Sequence, residues 1–166
     1  MTLKTTRLLA LDQSSKLTGY AIFQNGELDK YDYFGFDGTD VPSRLIKIRD
    51  KINQIIEEEN ITRVAIEEIQ LQYNNSNNVV TYKTLAFVMA VILVLCKERK
   101  IPCEIIPSVT WKSACGIKGR ARAEQKKNAK AFVLEKFGLD LPQDTVDAIC
   151  LGYSVSKKDK NKIEWG

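Results

Sequence analysis

Residues 8–12 read Leu-Leu-Ala-Leu-Asp, a continuous apolar run that a carboxylate closes. Such a run is typical of a strand buried on both faces of a sheet. Residues 62–67 read Thr-Arg-Val-Ala-Ile-Glu and end in the same way. Two buried strands that each end in an acid predict a sheet with Asp12 and Glu67 at its carboxyl end, where ligands gather in α/β proteins.

The elements around these two runs predict the rest of the sheet. Strands over 18–23 and 28–36 follow the first run, joined by a hairpin turn at Asn25-Gly26. A helix over 42–59 leads into the second run, and this strand–helix–strand connection implies that the two runs pair in parallel. Further along, the pattern predicts a helix over 79–99, a strand over 102–106, a helical turn over 108–114, and helices over 123–137 and 143–156.

The expected fold class is α/β, with a mixed five-stranded sheet of three antiparallel strands followed by two parallel ones and helices on its faces. A chain of 166 residues fits one such domain. We place this domain at residues 1–156 and expect residues 157–166 to form a frayed basic tail. The helix over 79–99 is apolar around much of its circumference, so we expect more than one neighbour to bury it.

Several features indicate a cytoplasmic protein without membrane contact. The longest apolar run, 85–96, is too short to cross a bilayer. The N-terminus lacks the apolar core of a signal peptide. The four cysteines have no C-x-x-C spacing, so we expect small core residues in a reducing compartment; they are Cys96, Cys103, Cys115 and Cys150.

The net charge of +4 is unevenly distributed. Residues 97–136 contain eleven Lys or Arg against four acids. This asymmetry predicts a polyanion bound on one face, although a solvated helical face would show the same composition. The chain contains no histidine, which excludes Ser-His-Asp and Cys-His mechanisms. Any hydrolysis must therefore depend on carboxylates, lysines or a metal ion.

Asp144 and Asp147 are three residues apart in the last predicted helix and project from the same face. If that helix crosses the sheet end, it brings both acids to Asp12 and Glu67. Carboxylates this close repel one another unless a cation lies among them, and their hard oxygens suit Mg²⁺ or Mn²⁺. Two such ions about 4 Å apart can activate water and stabilise the leaving oxygen of a phosphodiester, leaving 5′-phosphate and 3′-hydroxyl ends.

Each acid taken alone also has a structural interpretation. Asp12 can start the turn that follows its strand, Asp144 can interact with the helix dipole, and Asp147 can be exposed. Glu67 shares its place with Glu68. The joint pattern of two strand ends, one helix pair and a basic flank favours a metal-dependent nuclease.

The chain resembles the RuvC-type Holliday junction resolvases of the RNase H-like (retroviral integrase) superfamily over roughly residues 8–156. Three motifs carry the resemblance: Leu-Asp-Gln-Ser-Ser-Lys-Leu-Thr-Gly-Tyr at 11–20, Ala-Ile-Glu-Glu at 65–68 and Asp-Thr-Val-Asp-Ala at 144–148. The resemblance implies an RNase H-like fold and a homodimeric endonuclease that cuts four-way DNA junctions by paired symmetric nicks. It implies Mg²⁺ as the cofactor, with two ions in each site and Mn²⁺ as a substitute.

Carried over to this chain, the resemblance makes Asp12, Glu67, Asp144 and Asp147 the catalytic metal ligands. It also implies that Lys112 and one of Lys126 or Lys127 contact DNA, and that the helix over 79–99 contributes to the dimer interface. Independently of the resemblance, the cations Lys118, Arg120 and Arg122 lie around two glycines, and we expect this flexible loop to follow a phosphate backbone.

The chain departs from the family pattern at two places. Family members often read Asp-Pro-Gly or Asp-Pro-Ser where this chain has Asp12-Gln13-Ser14. Bacterial members commonly have a base-stacking aromatic at the position of Gln70, and Tyr73 is either its substitute or an exposed loop aromatic. We expect Trp111 in the core. A small divergent enzyme of this kind suits a phage or another mobile element.

Three other functions remain open. The first is a broader structure-selective nuclease acting on forks, flaps or RNA–DNA hybrids. The second is a non-catalytic junction-binding protein, against which the full acidic set argues. The third is nucleotide binding, because residues 12–19 faintly resemble the phosphate loop of actin-like folds, but those proteins need two such lobes.

Overall fold

A computed structural model describes residues 5–14, 16–37, 40–70 and 77–165. The strands of these ranges are β1 (Arg7–Asp12), β2 (Leu17–Gln24), β3 (Glu27–Gly35), β4 (Arg63–Glu67) and β5 (Cys103–Ile106). The helices are α1 (Val41–Glu58), α2 (Asn77–Glu98), α3 (Ser108–Ala114), α4 (Arg122–Phe137) and α5 (Gln143–Trp165).

The five strands form one mixed sheet in the order β3-β2-β1-β4-β5. β1 and β3 both pair antiparallel with β2, whereas β4 pairs in parallel with β1 and β5. The turn between β2 and β3 has positive φ angles at Asn25 (51°) and Gly26 (85°), as a two-residue hairpin requires. The predicted α/β class, mixed sheet and strand directions are confirmed.

Two hydrophobic cores lie on opposite faces of the sheet. In β1, Leu8 and Ala10 pack under α4 and α5, whereas Leu9 and Leu11 pack under α1 and α2. This alternation follows from the two-residue period of a strand. Because both faces are covered, β1 and β4 are apolar throughout their middles, which is the pattern the sequence showed.

Helix α2 packs against α1 and against the sheet through Val88, Ile92 and Cys96. Its segment Val79–Glu98 has a mean hydropathy of 2.3, long and apolar enough to cross a membrane by length and composition alone. The sequence-based expectation concerned the shorter run 85–96, and the helix that contains this run is longer than the run itself. Helices packed on a sheet meet the same criterion, and α2 buries one side in this core.

The C-terminal elements follow the prediction with one correction. Helix α4 ends at Gly138, whose φ of 72° is the left-handed conformation that terminates a helix. Helix α5 does not end near Ser156 but continues to Trp165, so the expectation of a frayed tail was wrong. Contacts made beyond Ser156 explain the extension: Asp159 pairs with Arg63, and the Lys157 ammonium donates to the Ala114 carbonyl.

Candidate active site

Asp12 and Glu67 point to the same side of the sheet. Ala10 in β1 and Ala65 in β4 both belong to the core beneath α5. Because side chains two apart in a strand share a face, Asp12 and Glu67 also face α5. The two strands pair in register through Leu11 and Ile66, so the acids that follow are neighbours.

Helix α5 reaches this point because Gly19 leaves room for it. Gly19 lies opposite Asp12 in the β1–β2 pair. A Cβ on Gly19 would lie 2.1 Å from the main-chain oxygen of Asp144, which no packed side chain can do. The first turn of α5 therefore rests directly on β2, beside Asp12, and brings Asp144 and Asp147 to the sheet end.

The carboxyl of Asp12 interacts electrostatically with all three of the other acids. Burial raises this pKa well above its ordinary value. The negative charges of Asp147, Glu67 and Asp144 raise it further, as does a carboxyl–carboxyl hydrogen bond with Asp144. The structure thus brings together four acids from three distant parts of the sequence.

The pKa values of Glu67 and Asp147 are raised as well. Burial is the main cause for Glu67, and the charge of Asp147 adds to it, so that the pKa reaches about 7. Burial also raises the pKa of Asp147 to about 6, although the Gln143 amide opposes this by donating to its Oδ1 over 2.7 Å. A site with this many destabilised carboxylates is a candidate for function.

Trp111 and Lys112 are neighbours on α3, and both lie beside Glu67. Trp111 is buried, as predicted, and its indole N–H makes no hydrogen bond within the described part of the chain. This N–H nevertheless lies close enough to Glu67 to lower the pKa of that carboxyl. The Lys112 ammonium lies 5.4 Å from the centre of the Trp111 ring, and its charge lowers the pKa of both Glu67 and Asp147.

The predicted DNA-binding cations divide into two groups. Lys112, Arg122 and Lys126 act electrostatically on the acids, Arg122 on Glu67 and Lys126 on Asp147. Lys118, Arg120 and Lys127 are exposed around the start of α4. Gln125 links the groups, since its amide accepts from Lys112 over 3.0 Å and donates to the Gly119 carbonyl over 2.9 Å. The cations form a surface that adjoins the acids.

Of the two residues predicted to contact bases, the structure describes only Gln70. Gln70 is exposed, and its amide donates to the hydroxyl of Ser108 at the start of α3 over 3.1 Å. Its role in DNA binding stays a prediction. Tyr73 lies outside the described residues.

The donor set fits a hard divalent cation, because all four groups are carboxylates and none of them makes a salt bridge among the described residues. In the described ranges, however, no three His, Cys, Asp or Glu side chains are arranged to hold an ion as they stand. Metal binding would therefore require some of these carboxyls to reorient and to lose their protons.

Sequence reasoning gave no role to two residues that shape the site. Gly19 permits the close approach of α5, and the Gln13 side chain is hydrogen-bonded to the main chain of Glu67. Both stand within the motif at 11–20, but only the three-dimensional neighbours show what they do. The departure from Asp-Pro-Gly at Gln13 was the one available signal.

We expect the stability of the metal-free protein to fall as pH rises from about 5 to about 8. The unfolded chain loses these carboxyl protons near pH 4, whereas the folded protein retains them to about 6 at Asp147 and about 7 at Glu67. The folded state thus binds more protons in this interval, and the free energy of unfolding decreases, by about 3 kcal/mol for Glu67 alone. Urea unfolding in EDTA across this range measures the effect.

At pH 8, Mg²⁺ should restore the lost stability, and NaCl at equal ionic strength should not. The absence of histidine removes the side chain that ordinarily titrates in this interval. Stability that stays constant or rises from pH 5 to pH 8 in EDTA would contradict the burial of these acids.

A five-stranded sheet of this order and direction, with helices on both faces, is the RNase H-like fold. The family model described as "Crossover junction endodeoxyribonuclease RuvC" matches residues 8–154. The chain belongs to the RuvC family.

Individual relatives agree with this assignment. The chain is 29% identical over 149 residues to Crossover junction endodeoxyribonuclease RuvC of Thermomicrobium roseum, covering 87% of this chain and 89% of that protein. Thermus thermophilus RuvC, solved in complex with a Holliday junction substrate, matches with a TM-score of 0.74 at 14% identity, covering 93% of this chain and 96% of that one. The yeast mitochondrial Holliday junction resolvase matches with a TM-score of 0.56 at 14% identity, covering 98% and 85%.

Proposed function

We propose that this protein is a divalent-metal-dependent endonuclease that resolves four-way DNA junctions by paired symmetric nicking. The observation that supports this proposal most strongly is the convergence of Asp12, Glu67, Asp144 and Asp147 beside a basic surface in a RuvC-family fold. Its relatives include a crossover junction endodeoxyribonuclease and a RuvC solved in complex with a Holliday junction substrate. The proposed products carry 5′-phosphate and 3′-hydroxyl ends.

The four carboxylates would hold two Mg²⁺ ions, with Mn²⁺ able to substitute. When bound, these ions supply charge stabilisation for the scissile phosphate and acidify a water molecule. The charges of all three other acids act on Asp12, so Asp12 would be a central member of the set of carboxylates that holds the ions. Lys112 sits beside both Glu67 and Asp147, and it would hold the phosphate oxygens while limiting repulsion between DNA and the acids.

The exposed cations at the start of α4 would guide the DNA backbone into the site. Lys118, Arg120 and Lys127 are exposed, and none of them forms a salt bridge among the described residues, so their charges are available to phosphates. Gln70 is hydrogen-bonded to Ser108 on α3, the helix that also carries Lys112, and from there it would meet a base at the junction. These contacts would select branched DNA, while the acids perform the cut.

Cleavage of a synthetic four-way junction with Mg²⁺ tests the proposal. We expect nicks at symmetric positions in two opposing strands, ligatable ends, and no product in EDTA. A replication fork, a flap and an RNA–DNA hybrid of matched sequence serve as comparison substrates. Equal cleavage of these substrates would indicate a broader structure-selective nuclease, and tight junction binding without cleavage would indicate a non-catalytic binder.

Paired nicking requires two copies of the site, and we propose that α2 forms the dimer interface. Val80, Phe87 and Val94 recur every seven residues on one side of α2 and are 68%, 50% and 57% exposed. Ile46 on α1 is also exposed, at 53%. An apolar stripe of this length on a charged protein is typical of a protein–protein interface.

A charge in this stripe should separate the protomers. We expect Val94→Glu to shift the protein from dimer to monomer in light scattering at micromolar concentration, because the carboxylate would be buried in the interface. Junction resolution should then lose the pairing of its nicks. Leu134→Glu on α4 is the matched control, since Leu134 is 54% exposed and lies away from α2. A dimer that survives Val94→Glu with paired nicking intact would place the interface elsewhere.

A further inference from the structure

The hydrogen-bond ladder between β1 and β4 ends just before the acids. Its last paired residues are Leu11 and Ile66. On the other side of β4, the even-numbered amides donate to β5, as Val64 does to Pro102 and Glu68 to Ile106. The main-chain N–H and C=O of Glu67 therefore face β1, just beyond the last residue pair that joins β1 to β4.

The side chain of Gln13 takes the place of main-chain hydrogen-bond partners for Glu67. Its amide nitrogen donates to the Glu67 carbonyl over 2.7 Å, and its oxygen accepts from the Glu67 N–H over 3.2 Å. Gln13 is only 6% exposed, so water does not compete for these groups. One side-chain amide thus satisfies both main-chain groups of Glu67.

This link connects two residues of the acidic cluster through a short path. Gln13 is the covalent neighbour of Asp12, and its other end holds the main chain of Glu67. The separation of the two carboxylates therefore depends on a fixed side chain and not on a loop. Proline, which the family often has at this position, lacks an amide that could make these bonds.

We propose that Gln13 is a positioning residue that holds Glu67 beside Asp12 in the geometry needed to bind a divalent cation. This inference rests on the proposed function, because it assigns Gln13 to the same site. In this role Gln13 acts through the main chain of Glu67, to which both of its side-chain hydrogen bonds go. Outer residues that orient metal ligands typically change metal affinity by about 10- to 100-fold when they are removed.

The chain contains a matched control at the other end of the same strand pair. The Thr62 hydroxyl accepts from the Arg7 N–H over 2.9 Å and donates to the Arg7 carbonyl over 3.2 Å. Thr62 therefore also joins β1 to β4 by two side-chain hydrogen bonds, but far from the acids. Thr62→Val removes those two bonds with little change of shape, as Gln13→Met does for Gln13.

The experiment measures Mn²⁺ affinity by calorimetry on the purified wild type, Gln13→Met and Thr62→Val, together with unfolding in urea. We expect both variants to lose stability, but only Gln13→Met to bind Mn²⁺ about 10-fold or more weakly. Junction cleavage by Gln13→Met should recover at raised Mn²⁺ concentration. Gln13→Asn keeps a neutral amide but is one methylene too short to reach both main-chain groups of Glu67, and it serves in place of Gln13→Met if that variant does not fold.

The outcomes separate the inference from the proposed function. Equal Mn²⁺ affinity in Gln13→Met and the wild type would overturn the positioning role, and so would an equal loss in Thr62→Val. Wild-type protein that binds no Mn²⁺ and cuts no junction would overturn both the role and the proposed function. Weaker binding confined to the Gln13 variants, with cleavage rescued by metal, would establish the role.

Discussion

Asp12→Asn is expected to abolish junction cleavage, with a rate loss of at least about 10³-fold. Asp12 is partly buried beside the other three acids, and every one of them contributes to its raised pKa. An amide in its place cannot share a negative charge with two cations, and metal stabilisation of a phosphoryl transition state contributes several kcal/mol. Single-turnover cleavage of a labelled four-way junction measures the loss.

The same substitution should leave folding and DNA binding intact. A neutral amide avoids both the cost of placing a charge in a partly buried position and the repulsion from the other acids. The metal-free variant should therefore be at least as stable as the wild type at pH 8. Junction affinity should be equal or tighter, since one negative charge near the phosphates is gone. Glu68→Gln is the control, because Glu68 is exposed one residue beyond β4 and should retain full activity. Cleavage by Asp12→Asn at the wild-type rate would make the catalytic assignment wrong.

Gly19→Ala should reduce cleavage by about 100-fold or more, although Gly19 contributes no side chain to the site. The added Cβ would lie 2.1 Å from the Asp144 oxygen and 2.7 Å from the Thr145 nitrogen, both in the main chain of α5. The helix start must therefore move by about 1 Å, and a displacement of this size at a reacting centre costs about 10²-fold in rate. Overpacking should also lower the free energy of unfolding by about 1 to 3 kcal/mol.

Gly138→Ala separates displacement of α5 from ordinary backbone strain. Gly138 has a φ of 72°, but a Cβ there would meet nothing within 4 Å. We expect this control to lose about 1 to 2 kcal/mol of stability through its left-handed backbone and to keep its cleavage rate. Cleavage by Gly19→Ala at the wild-type rate would show that catalysis does not depend on the close packing of α5 against β2.

The sheet and its acids could be predicted because their signals are local. β1 and β4 are apolar runs that end in carboxylates, and the helix between them requires parallel pairing. The three-residue spacing of Asp144 and Asp147 needs only a helix to place both on one face. The buried position of Trp111 also followed from its local context.

Other features depend on contacts between residues distant in sequence. Gln13 looks like an ordinary turn residue until β4 is beside it, and Gly19 looks like an ordinary strand glycine until α5 is placed on it. The extension of α5 depends on Asp159 meeting Arg63 of β4, which no local pattern of Lys157 to Lys160 indicates. Such pairings are set by the tertiary fold, so sequence periodicity could not reveal them.

The most direct test of the four-acid site is a crystal of the protein soaked with Mn²⁺ and measured at a wavelength where manganese scatters anomalously. We predict anomalous peaks among the carboxylates of Asp12, Glu67, Asp144 and Asp147. Peaks elsewhere, or none at these acids in protein that still cuts junctions with Mn²⁺, would contradict the proposed site.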